Sequence, residues 1–214
     1  IYDDVGIRML MNKGIPLKEA YDWNPAGCVE TNLDGRLRHY SAFADINLGG
    51  IIEFALTNGV NRKTGRKVAT ETGDPTTFET YEDFENAVKE QLKYSVRICV
   101  KESHIIDDIC MDRIVPALSL SFRECVKNAK DYAWGGAKYN TGNGIILIGV
   151  ADLINSMEAI RDLVYDRKLV SMEDMVKALD ADFEGYEEIQ KLCKESDKYG
   201  NDDDDVNAIT SHML

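Results

Sequence analysis

Histidine, proline and tryptophan are scarce in this chain, at three, four and two residues in 214. Positive charge is in deficit as well: 25 Lys and Arg face 38 Asp and Glu, for a formal net charge of −13. With no Lys/Arg-rich patch, that balance argues against nucleic acid and against an anionic membrane as partners, since both attract basic surfaces. Long apolar runs are missing. The longest, GIILIGVA at 144–151, falls well short of the roughly 20 residues that cross a bilayer. No signal-peptide pattern is read at the start. The five cysteines (28, 99, 110, 125 and 193) are an odd number with no CxxC pair and no metal-ligand spacing, so neither a disulfide framework nor a metal site is expected, and a reducing cytoplasm is. GGAKYNTGNG (135–144) lacks the GxxxxGK[ST] of a phosphate loop. NDDDDVN (201–207) lacks the glycine and the terminal glutamate of a calcium loop, and its carboxylates suit a helix start instead.

What remains is ordinary globular composition, 44% hydrophobic and 29% charged, at a length that suits one large domain or two small ones. Helix is predicted over 2–13, from Pro16 to residue 23, and over 46–58 ahead of Gly59. Thr80 with Asp83 forms a capping-box pattern, and Phe84, Val88 and Leu92 follow on one face. The helical pattern runs on to Pro116 in two pieces, and 118–130 reads as a further helix. WGGAKYNTGNG (134–144) reads as a loop, IILIGVA (145–151) as a buried strand and 152–166 as the helix after it. Ser171 with Asp174 caps one more helix, and the tail from Lys198 is a loop leading into another. The class is helix-rich α/β. The chain opens IYDDVGI without an initiator Met and ends ITSHML inside a helical pattern, so a piece of something longer is expected.

Cys28 stands apart from the other cysteines. Cys99, Cys110 and Cys125 sit among apolar neighbours and read as small core residues. Cys28 sits in NPAGCVET (24–31), a Pro/Gly stretch of the kind that displays functional residues from loops. A nucleophilic thiolate wants a cation nearby, and Glu30 is an anion. Three readings stay open at this point: a neutral thiol or thiyl radical with Glu30 as its proton-transfer partner, a conventional cysteine enzyme with a Cys28–His39 pair, and a packed thiol in a binding or structural protein.

GCVE (27–30) resembles the cysteine-loop motif of the glycyl radical enzymes, the superfamily of pyruvate formate-lyase. TGDPTTFETYEDFENAVKEQL (72–92), PALSLSFRECVKNAKDYAWGGAKYN (116–140), GVADLINSMEAIRDLVYD (149–166), LDADFEGYEEIQKLC (179–193) and KYGNDDDDV (198–206) are similar, in the same order, to segments of that family. The resemblance implies a ten-stranded β/α barrel made of two half-barrels. This chain, 1–214, would be the half that holds the cysteine loop, part of a single barrel domain that stops short of the C-terminal glycyl radical domain. It implies a glycyl radical lyase that breaks C–C, C–O or other C–X bonds, a decarboxylase or a dehydratase. Cys28 would be the thiyl residue and Glu30 the acid/base. The glycyl radical itself would lie outside this chain, installed by an activating enzyme that uses S-adenosylmethionine and an iron–sulfur cluster, with no cofactor bound in the fragment. The implied partners are a small-molecule substrate, that activating enzyme, the rest of the barrel and, when full length, a second copy in a homodimer. A formate acetyltransferase is the alternative, but Gly27 stands where pyruvate formate-lyase carries a second cysteine. Tyr40, Ala42, Tyr139 and Asn140 are expected to line the substrate pocket. Ala42 occupies the place of an Asp found in glycerol-type members, which argues for a less polar pocket.

Overall fold

The structure, a computed structural model, describes residues 2–27 and 30–213, with the side chains of 39–42 outside the description. In chain order come α1 (Asp3–Asn12), α2 (Leu17–Ala20), β1 (Asn24–Ala26), β2 (Glu30–Asn32), β3 (Leu37–Asn47), α3 (Leu48–Leu56) and α4 (Tyr81–Met111). These are followed by α5 (Pro116–Ser119), α6 (Arg123–Lys127), β4 (Tyr139–Ile148), α7 (Val150–Ile160), α8 (Met172–Asp180), α9 (Glu187–Glu195) and α10 (Asp204–Met213). A π-helical turn, Arg161–Asp166, continues α7. The helix-rich α/β class is as expected.

The chain forms two compact units. The first comprises Ile1–Ala44 and Cys99–Ile146. It holds two small sheets, β1 with β2 and β3 with β4. Its principal core is Leu10, Ile15, Ala20, Leu33 and Leu37, against which Ile7, Trp23 and Tyr139 pack. A second cluster gathers Phe122, Cys125, Tyr132 and Ala137. Asp131 organises the segment around it, its carboxylate accepting from the Val115 amide, the Ser119 hydroxyl and the Ala133 amide.

The second unit comprises Asp45–Ile98 and Leu147–Leu214. Here α3 and α7 supply the buried Ile51, Ile52, Ala55, Leu153, Ile154 and Met157, while Leu163, Val170 and Met175 form a further cluster. Its helices start where the sequence places caps. Thr80 and Asp83 exchange bonds, the Thr80 amide onto Asp83 Oδ2 at 2.9 Å and the Asp83 amide onto Thr80 Oγ1 at 3.2 Å. Ser171 Oγ accepts from the Asp174 amide, and Asp203 Oδ1 from the amides of Asp205 and Val206. The aspartate run is thus a helix start. Fully buried Gln91 donates to the Thr70 carbonyl at 2.8 Å and to Thr72 Oγ1 at 3.1 Å, tying α4 to the polar stretch after α3.

Four expectations need correction. IILIGVA is not a buried strand: the strand ends at Ile148, Leu147 and Ile148 are exposed, and Val150 already opens α7. The pattern from Thr80 to Pro116 is one helix of 31 residues, not two, because no Gly or Pro interrupts it before Met111. The segment 118–130 is not one helix. It holds α5 and α6, parted where the Ser121 hydroxyl bonds back to the Leu118 carbonyl at 2.6 Å, competing with the helical pattern. The last strand begins at Tyr139, inside the expected glycine loop, because the Tyr139 amide already bonds the Arg36 carbonyl at 2.9 Å beside β3, and that pairing outweighs the glycines. Strand β3 was not expected, since LRHYSAFADIN does not alternate cleanly between apolar and polar.

Candidate active site

On either side of Cys28 and Val29, Asn24–Ala26 and Glu30–Asn32 pair as the antiparallel hairpin β1–β2. Its pairs are Asn24 with Asn32, Pro25 with Thr31 and Ala26 with Glu30. Gly27 makes the turn possible. Its φ of +58° is left-handed, a conformation that costs a residue with a Cβ about 1–2 kcal/mol. Cys28 and Val29 follow Gly27 in sequence and lie outside the described residues.

The carboxylate of half-buried Glu30 folds back over Gly27. A Cβ built on Gly27 would stand 2.6 Å from Glu30 Oε2 and 2.8 Å from Oε1. The acid is thus held against the residue that immediately precedes Cys28.

The hairpin is anchored on both arms. Before β1, the Trp23 indole lies on α1 so closely that a Cβ at Gly6 would be 2.9 Å from its ring, and its Nε1 donates to Asp3 Oδ1 at 3.0 Å. In β2, Thr31 is buried and its hydroxyl reaches Met9 Sδ at 3.9 Å. Leu33, just beyond, is fully buried in the α1 core. Asp34 accepts from Asn24 Nδ2 at 3.2 Å and from Asn32 Nδ2 at 2.9 Å.

Tyr139 packs against the same α1 core, with Lys138 Nζ 5.2 Å from its ring centroid, so it reaches the foot of the hairpin. Asn140 is exposed, and its amide nitrogen is engaged by the carbonyls of Gly135 and Ala137 at 3.3 and 3.0 Å. Tyr40 and Ala42 belong to β3, but their side chains, like that of His39, lie outside the described residues.

Beside the hairpin a cavity of ≈ 590 Å³ is lined by Glu19, Asp22, Asp34, Arg36, Arg123 and Lys138 among others, and Glu30, Tyr139 and Asn140 are not part of that described lining. Its rim is a chain of ion pairs, Asp22 to Arg36 at 3.0 Å and Glu19 to Lys138 at 2.6 Å. The Lys138 ammonium holds the Glu19 carboxyl below its ordinary range. Arg38, almost fully buried, pairs with Asp107 at 3.0 Å, and Asn143 donates to the other oxygen of Asp107 at 3.3 Å. Burial pushes the thiols of Cys99, Cys125 and Cys193 up, with carboxylates nearby adding to the effect at the first two. Among the described residues no group of three His, Cys, Asp or Glu side chains could hold a metal ion, and no helix is long and apolar enough to cross a membrane.

Sequence reading missed Asp34 as part of the site. The Asp-Gly pair at 34–35 was the available signal, since it marks the turn that ends the hairpin, with the Arg36 and Leu37 amides bonding the Leu33 carbonyl.

All of residues 1–214 match the family described as Pyruvate formate lyase-like. The chain is 37% identical over 210 residues to trans-4-hydroxy-L-proline dehydratase of Clostridioides difficile, covering 97% of this chain and 26% of that protein. It is 30% identical over 212 residues to isethionate sulfite-lyase of Desulfovibrio desulfuricans, covering 98% and 26%. The crystal structure of hydroxyproline dehydratase from C. difficile with trans-4-hydroxy-L-proline bound superimposes with a TM-score of 0.93 at 35% identity, over 99% of this chain and 27% of that one. The chain therefore spans about a quarter of the length of the relatives it matches. The Gly-Cys-Val-Glu sequence between the two strands, the match along the whole chain and the near-superposition on such an enzyme lead to one conclusion: the chain belongs to the pyruvate formate lyase-like family of glycyl radical enzymes.

Proposed function

We propose that these 214 residues are the cysteine-loop part of a glycyl radical lyase of the dehydratase type, one section of a single barrel domain in a longer cytoplasmic polypeptide. The observation that carries this reading is the hairpin that sets the Glu30 carboxylate against Gly27, next to Cys28 in sequence. A glycyl radical elsewhere on the polypeptide, which an S-adenosylmethionine and iron–sulfur activating enzyme would install, would receive the hydrogen atom of the Cys28 thiol and leave the unpaired electron on the sulfur. Cys28 then takes a hydrogen atom from a small-molecule substrate: a C–H bond breaks and the S–H bond forms. Glu30 takes the proton from the heteroatom on the radical carbon and passes it to the neighbouring hydroxyl, which leaves as water as its C–O bond breaks. The Cys28 thiol returns its hydrogen atom to the product radical, restoring the sulfur radical.

Tyr40, Ala42, Tyr139 and Asn140 are proposed as pocket walls, Tyr139 with the support that it packs at the foot of the hairpin. The dehydratase reading over the decarboxylase one is supported by the 37% identity to the hydroxyproline dehydratase. An acetyltransferase reading is disfavoured by crowding, because a second cysteine at position 27 would run into the Glu30 carboxylate. The full-length protein is proposed to work as a homodimer.

The test is anaerobic. The full-length polypeptide is activated, its radical quantified by electron paramagnetic resonance, and trans-4-hydroxyproline, isethionate, glycerol, propane-1,2-diol and an arylacetate are offered side by side. Cys28→Ser should abolish turnover with the radical signal intact. Glu30→Gln should lower kcat by roughly 10²–10⁴. Release of carbon dioxide from the arylacetate without any dehydration would replace the dehydratase reading by the decarboxylase one, and turnover surviving in Cys28→Ser would remove both.

A further inference from the structure

We propose that Asp34 is a positioning residue for Glu30, and through it for the Cys28–Glu30 pair, acting through Asn24 and Asn32; the proposal rests on the functional reading above. The hairpin that carries the turn has three residue pairs, and a two-stranded ladder so short is marginal alone. Its register matters more than its length. A slip of one residue would carry the side chain of Glu30 to the opposite face.

The pair farthest from the turn is Asn24 with Asn32, and both of these amides donate to one atom, Asp34 Oδ1, at 3.2 and 2.9 Å. A charged oxygen shared by two facing side chains can be satisfied in only one register, so it closes the ladder at the end away from the chemistry. Asn24 shows what this arrangement overrides: its Oδ1 is buried with no hydrogen-bond partner among the described residues. The side chain keeps its amide in that place although half of it is unpaired, and its Nδ2 bond to Asp34 is the contact that favours it there. Asp34 itself is exposed and borders the 590 Å³ cavity, so packing does not fix it. It directly follows the fully buried Leu33, and only Gly35 and Arg36 separate it from β3. Asp34 therefore links the rigid foot of the hairpin to both of its strands.

The experiment uses the activated full-length polypeptide and a substrate deuterated at the carbon that loses hydrogen. Asp34→Leu removes the shared acceptor. Its kcat should fall by roughly 10–100-fold, the scale of a misplacement near one ångström. KM and the melting temperature should change little, and the deuterium isotope effect on kcat should rise as hydrogen transfer becomes limiting. Asp34→Asn keeps an acceptor oxygen and should recover most of the rate. A kcat within twofold of the parent in Asp34→Leu, or an equal loss in Asp34→Asn with an unchanged isotope effect, overturns the proposal. If Asp34→Leu does not fold, Asn24→Ala and Asn32→Ala each remove one donor, and an unchanged kcat in both overturns it equally. A dead Cys28→Ser beside a fully active Asp34→Leu would refute the clamp alone, whereas an active Cys28→Ser would refute the functional reading beneath it.

Discussion

Gly27→Ala is the smallest change that tests whether the turn geometry serves the chemistry. It adds one methyl group and acts in two ways. The first is conformational. The φ of +58° at this position costs an alanine about 1–2 kcal/mol, which the native turn must absorb or relax away. The second is steric. The new Cβ would stand 2.6 Å from Glu30 Oε2, against the 3.4 Å at which ordinary contact begins, so the carboxylate must retreat by about 0.8 Å. A displacement near 1 Å at a reacting group can cost about 10²-fold in rate. We therefore expect kcat of the activated full-length enzyme to fall by roughly 10–100-fold while the glycyl radical signal is retained.

The mechanism of that loss can be isolated. If Gly27→Ala acts by moving Glu30, the double variant Gly27→Ala/Glu30→Gln should be little slower than Glu30→Gln alone, because the second change has already removed the proton that the first misplaces. Residues in direct contact are expected to be non-additive in this way. Activity within threefold of the parent in Gly27→Ala, or two losses that multiply in full, would refute the argument from contact between Gly27 and Glu30.

Three further outcomes follow from the description of the fold. Gln91→Leu should lower the stability of the second unit by about 1–3 kcal/mol in denaturant titration, because it removes the amide that the half-buried Thr70 carbonyl and Thr72 hydroxyl now bond. The Thr80 hydroxyl and amide hold the Asp83 carboxyl below its ordinary value of 3.8, so its capping contribution is complete above that pH and is lost as pH falls through the lower folded value. The gap in melting temperature between the parent and Asp83→Ala should close in that acid range and stay constant above it. Finally, the 214-residue chain expressed by itself should bind a hydrophobic dye strongly, because Ile105, Ile109, Ile114, Leu120 and Val126 are all exposed in the first unit, and a chain that binds none would contradict the exposure described here.

Legibility in the sequence divides by the range of the interaction involved. Caps act within one turn, and both the Thr80–Asp83 and the Ser171–Asp174 patterns could be read directly because donor and acceptor are three residues apart. The helical face of α4 was legible from the period of Phe84, Val88 and Leu92. Strand β3 and the early start of β4 were not, because each is stabilised by the other across about a hundred residues and neither alternates. The site shows the same division. Cys28 and Glu30 could be picked out by residue type and spacing. The contact of Glu30 with Gly27 could not, since it depends on the sign of one backbone angle. Asp34 was missed because its partners lie ten and two residues away on two different strands.

The polar devices at the hairpin exist for a reason that the packing makes plain. The cluster of Leu10, Ile15, Ala20, Leu33 and Leu37 is buried almost completely and fixes where the hairpin begins. It cannot fix the register, because of the six paired hairpin residues only Thr31 is buried. Apolar burial is also non-directional, and it tolerates shifts that a reacting group does not. Register must then come from directional contacts. The Thr31 hydroxyl on Met9, the two asparagines on Asp34 and the Glu30 carboxylate over Gly27 are such contacts. Each depends on a single atom or a single missing Cβ, which is why conservative substitutions there should change rate far more than they change stability.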